Sequence, residues 1–154
     1  MARALSQIIV IPYRINENKM CEFAIFKRSD EHYWQWIAGG GEDDETPLQA
    51  SARELFEETG IREEAKLINL QYSAFVPISE FKEHRLLYEK FNLLEIPEYY
   101  FAFEITNEKI CLSHEHTEFK WVDYENANEL LHWQTNKNGL RELNERLKKN
   151  LYQN

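Results

Sequence analysis

The sequence is poor in the residues that mark disulfide-rich, membrane-bound or disordered proteins. Its 154 residues include two cysteines, four prolines and five glycines. Cys21 and Cys111 lie far apart and form no CxxC pair, which predicts reduced thiols in a cytoplasmic protein. The longest uninterrupted apolar run near the start, Ile8–Ile11, is too short for a membrane span or a signal-peptide core. We therefore expect no membrane partner.

Basic residues are also scarce relative to acidic ones. The chain has 18 Lys and Arg against 27 Asp and Glu, a formal net charge of -9. Nucleic-acid binding needs a positive surface, so we expect no nucleic-acid partner. An anionic small molecule can still bind if a metal ion intervenes. Hydrophobic residues make up 43% of the chain, as in globular proteins, and the length predicts a single domain over residues 1–154.

Two strands are predicted near the start of the chain. Gln7–Tyr13 and Cys21–Lys27 are rich in β-branched and aromatic residues, and the polar segment Asn16–Lys19 separates them as a turn. Gly39–Gly41 is expected to interrupt regular structure. These patterns predict a strand pair followed by a glycine loop.

A helix is predicted to follow the glycine loop. Thr46 can cap it, Pro47 suits its first position, and Gln49 completes a capping box. Gly60 suits the position just after its last residue. Four apolar residues are expected to face the core, namely Leu48, Ala52, Leu55 and Phe56.

The second half alternates further strands and helices. Strands are predicted at Ala65–Leu70, Tyr72–Ile78, Glu98–Ile105 and Glu118–Asp123. Ser79–Ile96 fits a loop with a helical turn, and Ala127–Leu131 fits a short helix. A last helix has Thr135 as a possible cap and an apolar stripe of Leu140, Leu143, Leu147 and Leu151. This order predicts an α/β (α+β) fold, with a mixed sheet between helices in an α/β/α sandwich.

Three glutamates make the first helix unusual. Glu54, Glu57 and Glu58 are three and four residues apart, so their side chains converge on one face and repel one another. They also lie in the C-terminal half, where the helix dipole disfavours anions. Arg53 can pair with Glu57, which leaves two carboxylates unmatched. The alternatives are a solvated acidic face and a hard-oxygen site for Mg²⁺ or Mn²⁺.

The segment Gly39–Ile61, GGGEDDETPLQASARELFEETGI, resembles the signature of the Nudix hydrolase family. It has glycine at 39, Glu45 after five residues, and Arg53-Glu54-Leu55-Phe56-Glu57-Glu58-Thr59-Gly60-Ile61 after seven more. The resemblance implies a Nudix-type α/β/α sandwich and metal-dependent hydrolysis of a diphosphate linked to another group. The cofactor it implies is Mg²⁺ or Mn²⁺.

The resemblance also implies roles for particular residues. Glu54, Glu57 and Glu58 are the implied metal ligands, and Arg53 orients them through salt bridges, with Glu45 as a partner. Family members often have glycine directly before the box glycine and proline before that, whereas this chain has Ala38 and Ile37 at those positions. The backbone carbonyl of Ala38 remains a candidate metal ligand.

The base that activates water is predicted to come from the box or from a later loop. Glu115, between His114 and His116, is the candidate outside the box and a further candidate metal ligand. It precedes a predicted strand, where functional residues often lie. The alternative is an exposed loop acid. The predicted catalytic set is therefore Glu54, Glu57, Glu58, Arg53 and Glu115.

Three further segments resemble the dihydroneopterin triphosphate and nucleoside triphosphate pyrophosphohydrolases. They are Lys27–Asp30 with Tyr33-Trp34-Gln35, Glu115-His116 with Phe119-Lys120-Trp121, and Trp133 with Asn136–Leu143. Lys27 and Arg28, and the loop glycines Gly39 and Gly40, are candidate phosphate contacts. Trp34, or one of Tyr99, Tyr100 and Phe101, is a candidate to stack on a flat heterocycle. For each aromatic, packing in the core is the alternative.

Other readings remain open. Pro77, sixteen residues after Ile61, lies close to where ADP-ribose-cleaving relatives carry a proline, so ADP-ribose or another nucleoside diphosphate derivative is the alternative substrate. A non-catalytic nucleotide-binding module is a third reading, but such modules usually lose box carboxylates, and all are present here. A monomer and a homodimer are both compatible with the sequence.

Overall fold

A mixed β-sheet organises residues 3–152, the part of the chain that this computed structural model describes; side chains are described for residues 4–150. The strands are β1 (Arg3–Ile15), β2 (Cys21–Arg28), β3 (Trp34–Gln35), β4 (Ile37–Glu42), β5 (Leu67–Pro77), β6 (Glu95–Glu104) and β7 (His116–Val122). The helices are α1 (Pro47–Thr59), α2 (Arg85–Lys90), α3 (Tyr124–Leu130) and α4 (Gln134–Tyr152), with 3₁₀ turns at Glu64–Lys66 and Ile78–Glu80.

Strand β1 lies at the centre of the sheet. It runs parallel to β6 on one side, and on the other side it pairs antiparallel with β4 and then with β2. Strand β5 extends the sheet beyond β6, while β3 and β7 pair with β2. In this register Gln7 of β1 lies between Gly40 of β4 and Glu98 of β6. The glycine segment is thereby fixed beside the middle of the sheet.

The two faces of β1 pack against different helices. Ile8 and Val10 share one buried cluster with Ala50 and Leu55 of α1. Ile9 and Ile11 share the other cluster with the stripe of α4, which consists of Leu140, Leu143 and Leu147. Alternation along a strand sends successive side chains to opposite faces, so one apolar run supplies both cores. The predicted α/β/α sandwich with a mixed sheet is confirmed.

Helix α1 has the predicted ends. The Thr46 hydroxyl accepts from the Gln49 N–H over 3.2 Å, and the Gln49 side chain accepts from the Thr46 N–H over 2.9 Å. Gly60 has a φ of 81°, and its N–H donates to the carbonyl of Phe56 over 2.7 Å. This left-handed conformation favours glycine, which ends the helix as predicted.

The buried face of α1 differs from the predicted one. Leu55 is fully buried, but Leu48 and Phe56 are 38% and 37% exposed. The residues that face inward are instead Ala50, Ser51, Glu54, Leu55, Glu58 and Thr59. Compared with the predicted orientation, the helix is rotated about its axis so that Glu54 and Glu58 face inward. Leu48 and Phe56 face outward as a result. Apolar spacing alone therefore predicted the wrong orientation.

Two strand predictions were also wrong. Gly39–Gly41 does not interrupt the structure but lies within β4, because pairing with β1 compensates for the low strand propensity of glycine. The two predicted strands that met near Gln71 form the single strand β5, whose register with β6 shifts between Asn69 and Ser73. That shift absorbs the break in the apolar pattern that suggested two strands.

The C-terminal region follows the prediction with small changes. Helix α4 begins at Gln134, so Thr135 lies inside its first turn and is not the cap. The side chain of Leu151 lies outside the described side chains, whereas the other leucines of the stripe are buried. None of the described helices has the length and apolar character needed to cross a membrane. Cys21 and Cys111 are both free thiols.

Candidate active site

Arg53 connects helix α1 to strand β4 and to the loop between them. Its Nη2 donates to the carbonyl of Gly40 over 2.7 Å, and its Nε donates to Glu45 Oε2 over 2.9 Å. Glu45 in turn accepts from the backbone N–H of Glu42 over 2.8 Å. The predicted contacts of Arg53 with Glu45 and Glu57 are both present, and the guanidinium fixes how the loop enters the helix.

The same guanidinium contacts two of the three glutamates. Arg53 Nη1 lies 3.0 Å from Glu54 Oε1 and 3.2 Å from Glu57 Oε2. Burial, opposed by Arg53 and reinforced by the charges of Glu57 and Glu58, raises the pKa of Glu54 to about 7. Glu57 is half exposed, and Glu54 is largely buried. The pair presents one buried and one accessible carboxylate on adjacent turns.

Gly39 is required by its contact with Glu54. A Cβ atom at position 39 would lie 2.1 Å from Glu54 Cδ and 2.2 Å from Oε1, so the Glu54 carboxyl group would have to move to admit any side chain there. The carboxyl group therefore lies directly against the backbone of β4. This is the physical reason for glycine at the first position of the predicted signature.

Glu58 faces away from Arg53, so the three glutamates do not form one cluster. Its Oε2 accepts from the hydroxyl of Ser113 over 2.6 Å and lies 2.9 Å from Nδ1 of His116. The His116 contact is short but poorly aligned for a straight hydrogen bond. Burial opposes ionisation of Glu58, yet interactions with His116, Ser113 and Glu115 outweigh it and hold its pKa below the ordinary value.

Glu115 completes this second carboxylate group. Burial, followed by its hydrogen bond with Glu58 and the charge of Glu58, raises the pKa of Glu115. The loop that carries it is fixed to the end of β2, because Ser29 donates from its N–H to the carbonyl of Glu115 over 2.9 Å. The Ser29 hydroxyl also donates to the carbonyl of His114 over 2.9 Å. Glu58 and Glu115 are thus placed to share a proton.

The donor chemistry of the site suits a hard divalent cation. Glu54, Glu57, Glu58 and Glu115 supply carboxylate oxygens, the ligands that Mg²⁺ and Mn²⁺ prefer. Because residue 39 is glycine, no side chain occupies the space that the Glu54 carboxyl group fills. Among residues 3–152, however, no three such donors are already gathered as a metal cluster. Glu54 and Glu57 contact Arg53, whereas Glu58 and Glu115 interact with each other.

A cleft of about 750 Å³ opens on the sheet face opposite α1. Gly39, Ala38 and Glu115 lie at its margin, and Arg28 lines it near Glu115. It continues to a polar group in which Gln35, Glu98 and Asn136 are buried and Gln7 and Thr135 are partly buried, and its outer wall is formed by residues 79–84. One cleft therefore joins the Glu115 loop to a deeper polar end, whereas Glu54, Glu57 and Glu58 are not among its lining residues.

Some predicted substrate contacts do not line this cleft. Gly40 presents its carbonyl to Arg53, and Lys27 lies 3.9 Å from Glu118. Trp34 packs beneath Lys120, whose Nζ is 4.7 Å from its ring centre. Tyr100 and Phe101 are buried in the two cores and cannot stack on a ligand, which corrects that prediction. Tyr99 is partly buried against the α1-side core and is not among the lining residues.

Two other aromatic residues, Tyr33 and Trp133, lie in the cleft wall, where a residue that stacks on a ligand was expected. Their ring centres are 5.6 Å apart, and the rings are nearly perpendicular. His132 stacks on Tyr33 at 4.3 Å. Both aromatic residues lie in segments whose resemblance to triphosphate pyrophosphohydrolases was noted above, but the sequence did not single them out. Glu98, the acid inside β6 rather than at either end of it, was also missed; an acid in the interior of a strand is the signal that could have identified it.

Comparison with known proteins identifies the family. A family model described as NUDIX domain matches residues 7–143. This chain belongs to the NUDIX domain family. A crystal structure of a NUDIX hydrolase from Listeria monocytogenes has a TM-score of 0.81 and 39% sequence identity, and the match covers 94% of each chain. The predicted family, fold and hydrolase class are confirmed.

Two curated relatives show how far the similarity extends. Dihydroneopterin triphosphate diphosphatase of Haemophilus influenzae is 28% identical over 130 residues, which is 84% of this chain and 80% of that protein. Octanoyltransferase of Myxococcus xanthus is 36% identical over 110 residues, 71% of this chain. The match spans only 27% of that longer protein.

Proposed function

We propose that this Nudix hydrolase is a divalent-metal-dependent pyrophosphohydrolase. Its substrate would be a dihydroneopterin or purine nucleoside triphosphate, cleaved between the α and β phosphorus to a monophosphate and pyrophosphate. The observation that carries the proposal is the single cleft, which joins Glu115 and the glycine strand to Arg28, Tyr33 and Trp133. The similarity to the Haemophilus influenzae dihydroneopterin triphosphate diphosphatase supports the same substrate class.

We propose that Glu54, Glu57 and Glu58, with Glu115 and the Ala38 carbonyl as further candidates, hold Mg²⁺ or Mn²⁺. When bound, such a cation offsets phosphate charge and lowers the pKa of water. Arg53 positions Glu54 and Glu57, and Gly39 leaves room for the Glu54 carboxyl group. The Glu58–Glu115 pair would accept the proton of the attacking water, because one of its two carboxylates is kept ionised by Ser113 and His116.

The remaining cleft residues would bind the substrate. Arg28 carries a charge at the cleft, and its guanidinium is held by Asp30 and by the hydroxyl of Tyr33 over 3.3 Å. It would contact the outer phosphates. Tyr33 and Trp133 offer ring surfaces on which a flat heterocycle can stack.

The experiment is a product-resolved substrate panel with Mg²⁺, Mn²⁺ and EDTA. Pterin, guanosine and adenosine triphosphates are compared with ADP-ribose, sugar nucleotides and dinucleoside polyphosphates, and products are identified by mass. We expect pyrophosphate from a triphosphate, and no turnover in EDTA. Release of inorganic phosphate alone contradicts the proposed bond, and a kcat/KM for ADP-ribose at least tenfold above every triphosphate selects the alternative substrate.

We also propose one domain over residues 1–154 that works in the cytoplasm as a monomer or homodimer. The family match over residues 7–143 supports the single domain, and the free thiols Cys21 and Cys111 suit a reducing compartment. Limited proteolysis should yield one resistant core, and light scattering should give the mass of one or two chains. Two separable stable fragments would contradict the single domain.

A further inference from the structure

Glu98 is a buried carboxylate that lines the cleft and has no part in the chemistry described so far. It is 4% exposed and lies in β6, opposite Gln7 of β1. Strand alternation places it on the same face as Tyr100, which packs in the core beneath α4. Its position at the edge of that core brings its carboxyl group to the deep end of the cleft.

The groups around Glu98 are hydrogen-bond donors without charge. The Tyr100 hydroxyl donates to its Oε1 over 2.7 Å, and the side chains of Gln7 and Thr135 also form hydrogen bonds with it. No lysine or arginine among the described side chains forms an ion pair with Glu98. Burial raises its pKa, and the three hydrogen bonds oppose that rise. A buried carboxylate without a cation is costly, and such costs are typical of functional positions.

Glu98 can still accept from a ligand. An ionised carboxylate has about four acceptor positions, and three neighbours occupy fewer than all of them. Every one of those neighbours is placed as a donor, so the remaining capacity also suits an N–H or O–H group. The structure therefore favours a ligand that brings hydrogen-bond donors to this end of the cleft.

The position of Glu98 suits the heterocycle better than the phosphates. Gly40, Gln7 and Glu98 lie side by side on β4, β1 and β6, which separates Glu98 from the glycine strand by two strand spacings, about 10 Å. A negative carboxylate repels phosphate, whereas the cationic Arg28 lies beside the loop of Glu115, whose carbonyl accepts from the Ser29 N–H. Trp133 packs against Tyr33, whose hydroxyl accepts from Arg28, and lies two positions before Thr135, which hydrogen-bonds Glu98. The aromatic pair therefore lies between Arg28 and Glu98.

We propose that Glu98 recognises the 2-amino-4-oxopyrimidine ring shared by pterins and guanine, by accepting a hydrogen bond from its 2-amino group at the acceptor position that Tyr100, Gln7 and Thr135 leave open. The proposal rests on the proposed function of the same cleft and narrows its substrate class. Adenine and hypoxanthine have no 2-amino group, so each lacks the donor for this bond.

The test compares guanosine triphosphate with inosine triphosphate, which differ only by the 2-amino group. The wild-type protein should have a kcat/KM for the guanosine compound about tenfold to a hundredfold higher, the usual contribution of one hydrogen bond to a charged group. Glu98→Gln should reduce that ratio to near one, because its amide NH₂ opposes the amino group of the base. Glu95→Gln, which changes an exposed glutamate of the same strand outside the cleft lining, is the matched control and should keep the wild-type ratio.

The ratio also separates recognition from folding, because a general loss of structure lowers both rates together. If Glu98→Gln does not fold, Glu98→Asp shortens the same side chain and should lower the ratio in the same direction. A wild-type ratio near one overturns the proposal. So does a ratio that survives in whichever Glu98 variant folds.

Binding of the monophosphates distinguishes this proposal from the proposed function. Guanosine and inosine monophosphate are titrated calorimetrically into the wild-type protein and Glu98→Gln, with Mg²⁺ present. If no triphosphate is cleaved, yet the wild type binds the guanosine compound at least tenfold more tightly and the variant does not, the proposed function fails and Glu98 recognition stands. Equal binding by the wild type overturns the role of Glu98.

Discussion

The backbone of Gly39 in β4 and the carboxyl group of Glu54 in α1 occupy adjoining space, with 2.1 Å between a Cβ built at position 39 and Glu54 Cδ. The central sheet thereby sets the position of a carboxylate that comes from a helix. Arg53, one residue earlier, donates to the carbonyl of Gly40 over 2.7 Å and holds the same two elements together. The predicted signature is therefore a packing unit as well as a set of proposed metal ligands.

Gly39→Ala should lower kcat by about 10²-fold or more, because Glu54 must move to make room for the methyl group and a displaced charged group loses its electrostatic effect. Steady-state kinetics with saturating Mg²⁺ measures this change. Gly41→Ala is the matched control in the same strand: its Cβ would meet Ala4 Cβ at 3.0 Å and would not touch Glu54. Near-normal kcat in Gly39→Ala would show that the contact is unimportant for activity.

Arg53→Lys should lower activity by about tenfold to a hundredfold, the usual effect of losing a group that orients metal ligands. A lysine cannot reproduce the fork that reaches Gly40, Glu45 and Glu54 together. Arg146→Lys, which alters an exposed pair with Glu142, is the control and should leave kcat/KM within about twofold. Equal activity of both variants would remove Arg53 from its positioning role.

Glu58→Gln should lower kcat by about 10²–10⁴-fold while the fold survives, as expected when an acid–base or key electrostatic group is lost. Glu57→Gln should lower kcat in the same range. Its fold should also survive, because the substitution relieves a like-charge repulsion. Glu115→Gln, assayed alongside, shows whether Glu115 is needed for proton acceptance. Glu89→Gln on α2 serves as the control. A variant with near-normal kcat is excluded from the catalytic set.

Arg28→Ala should raise KM for the triphosphate more than it lowers kcat, because the contact is present in both the ground and transition states. Arg28 lines the cleft close to Glu115, whereas Arg14 pairs with Glu22 on a part of the sheet that does not line it. Arg14→Ala is therefore the control for loss of a surface cation. An unchanged KM in Arg28→Ala would place the phosphates elsewhere.

The metal-free protein should lose stability as the pH rises toward 8. The pKa of Glu54 is raised from 4.5 to about 7, so its contribution is fully present below about pH 4.5 and is lost as the pH rises through 7. Glu54→Gln should therefore be more stable than the wild type at pH 8 by about 1–3 kcal/mol, and similar at pH 4.5. Urea unfolding in EDTA measures the difference, and Mg²⁺ should stabilise the wild type more than the variant. A wild type that is more stable at pH 8 than at pH 5 would contradict this.

The sequence by itself determined the features that depend on near neighbours. The capping box of Thr46 and Gln49, the helix end at Gly60 and the strand at Gln7–Tyr13 are all decided within a few residues, so local rules predicted them. The spacing of Arg53 and Glu57 likewise predicted their ion pair. The family signature was readable because all its parts lie in one continuous segment, which runs from β4 through a loop into α1.

Tertiary structure decided everything that joins distant parts of the chain. Glu58 meets Ser113 and His116 more than fifty positions later, and Glu98 faces Gln7 and Thr135, because strand pairing and helix packing bring those elements together. The outward turn of Phe56 follows from the same cause. Helix periodicity fixes which residues share a face, but only the burial and charge of the whole fold decide which face turns inward.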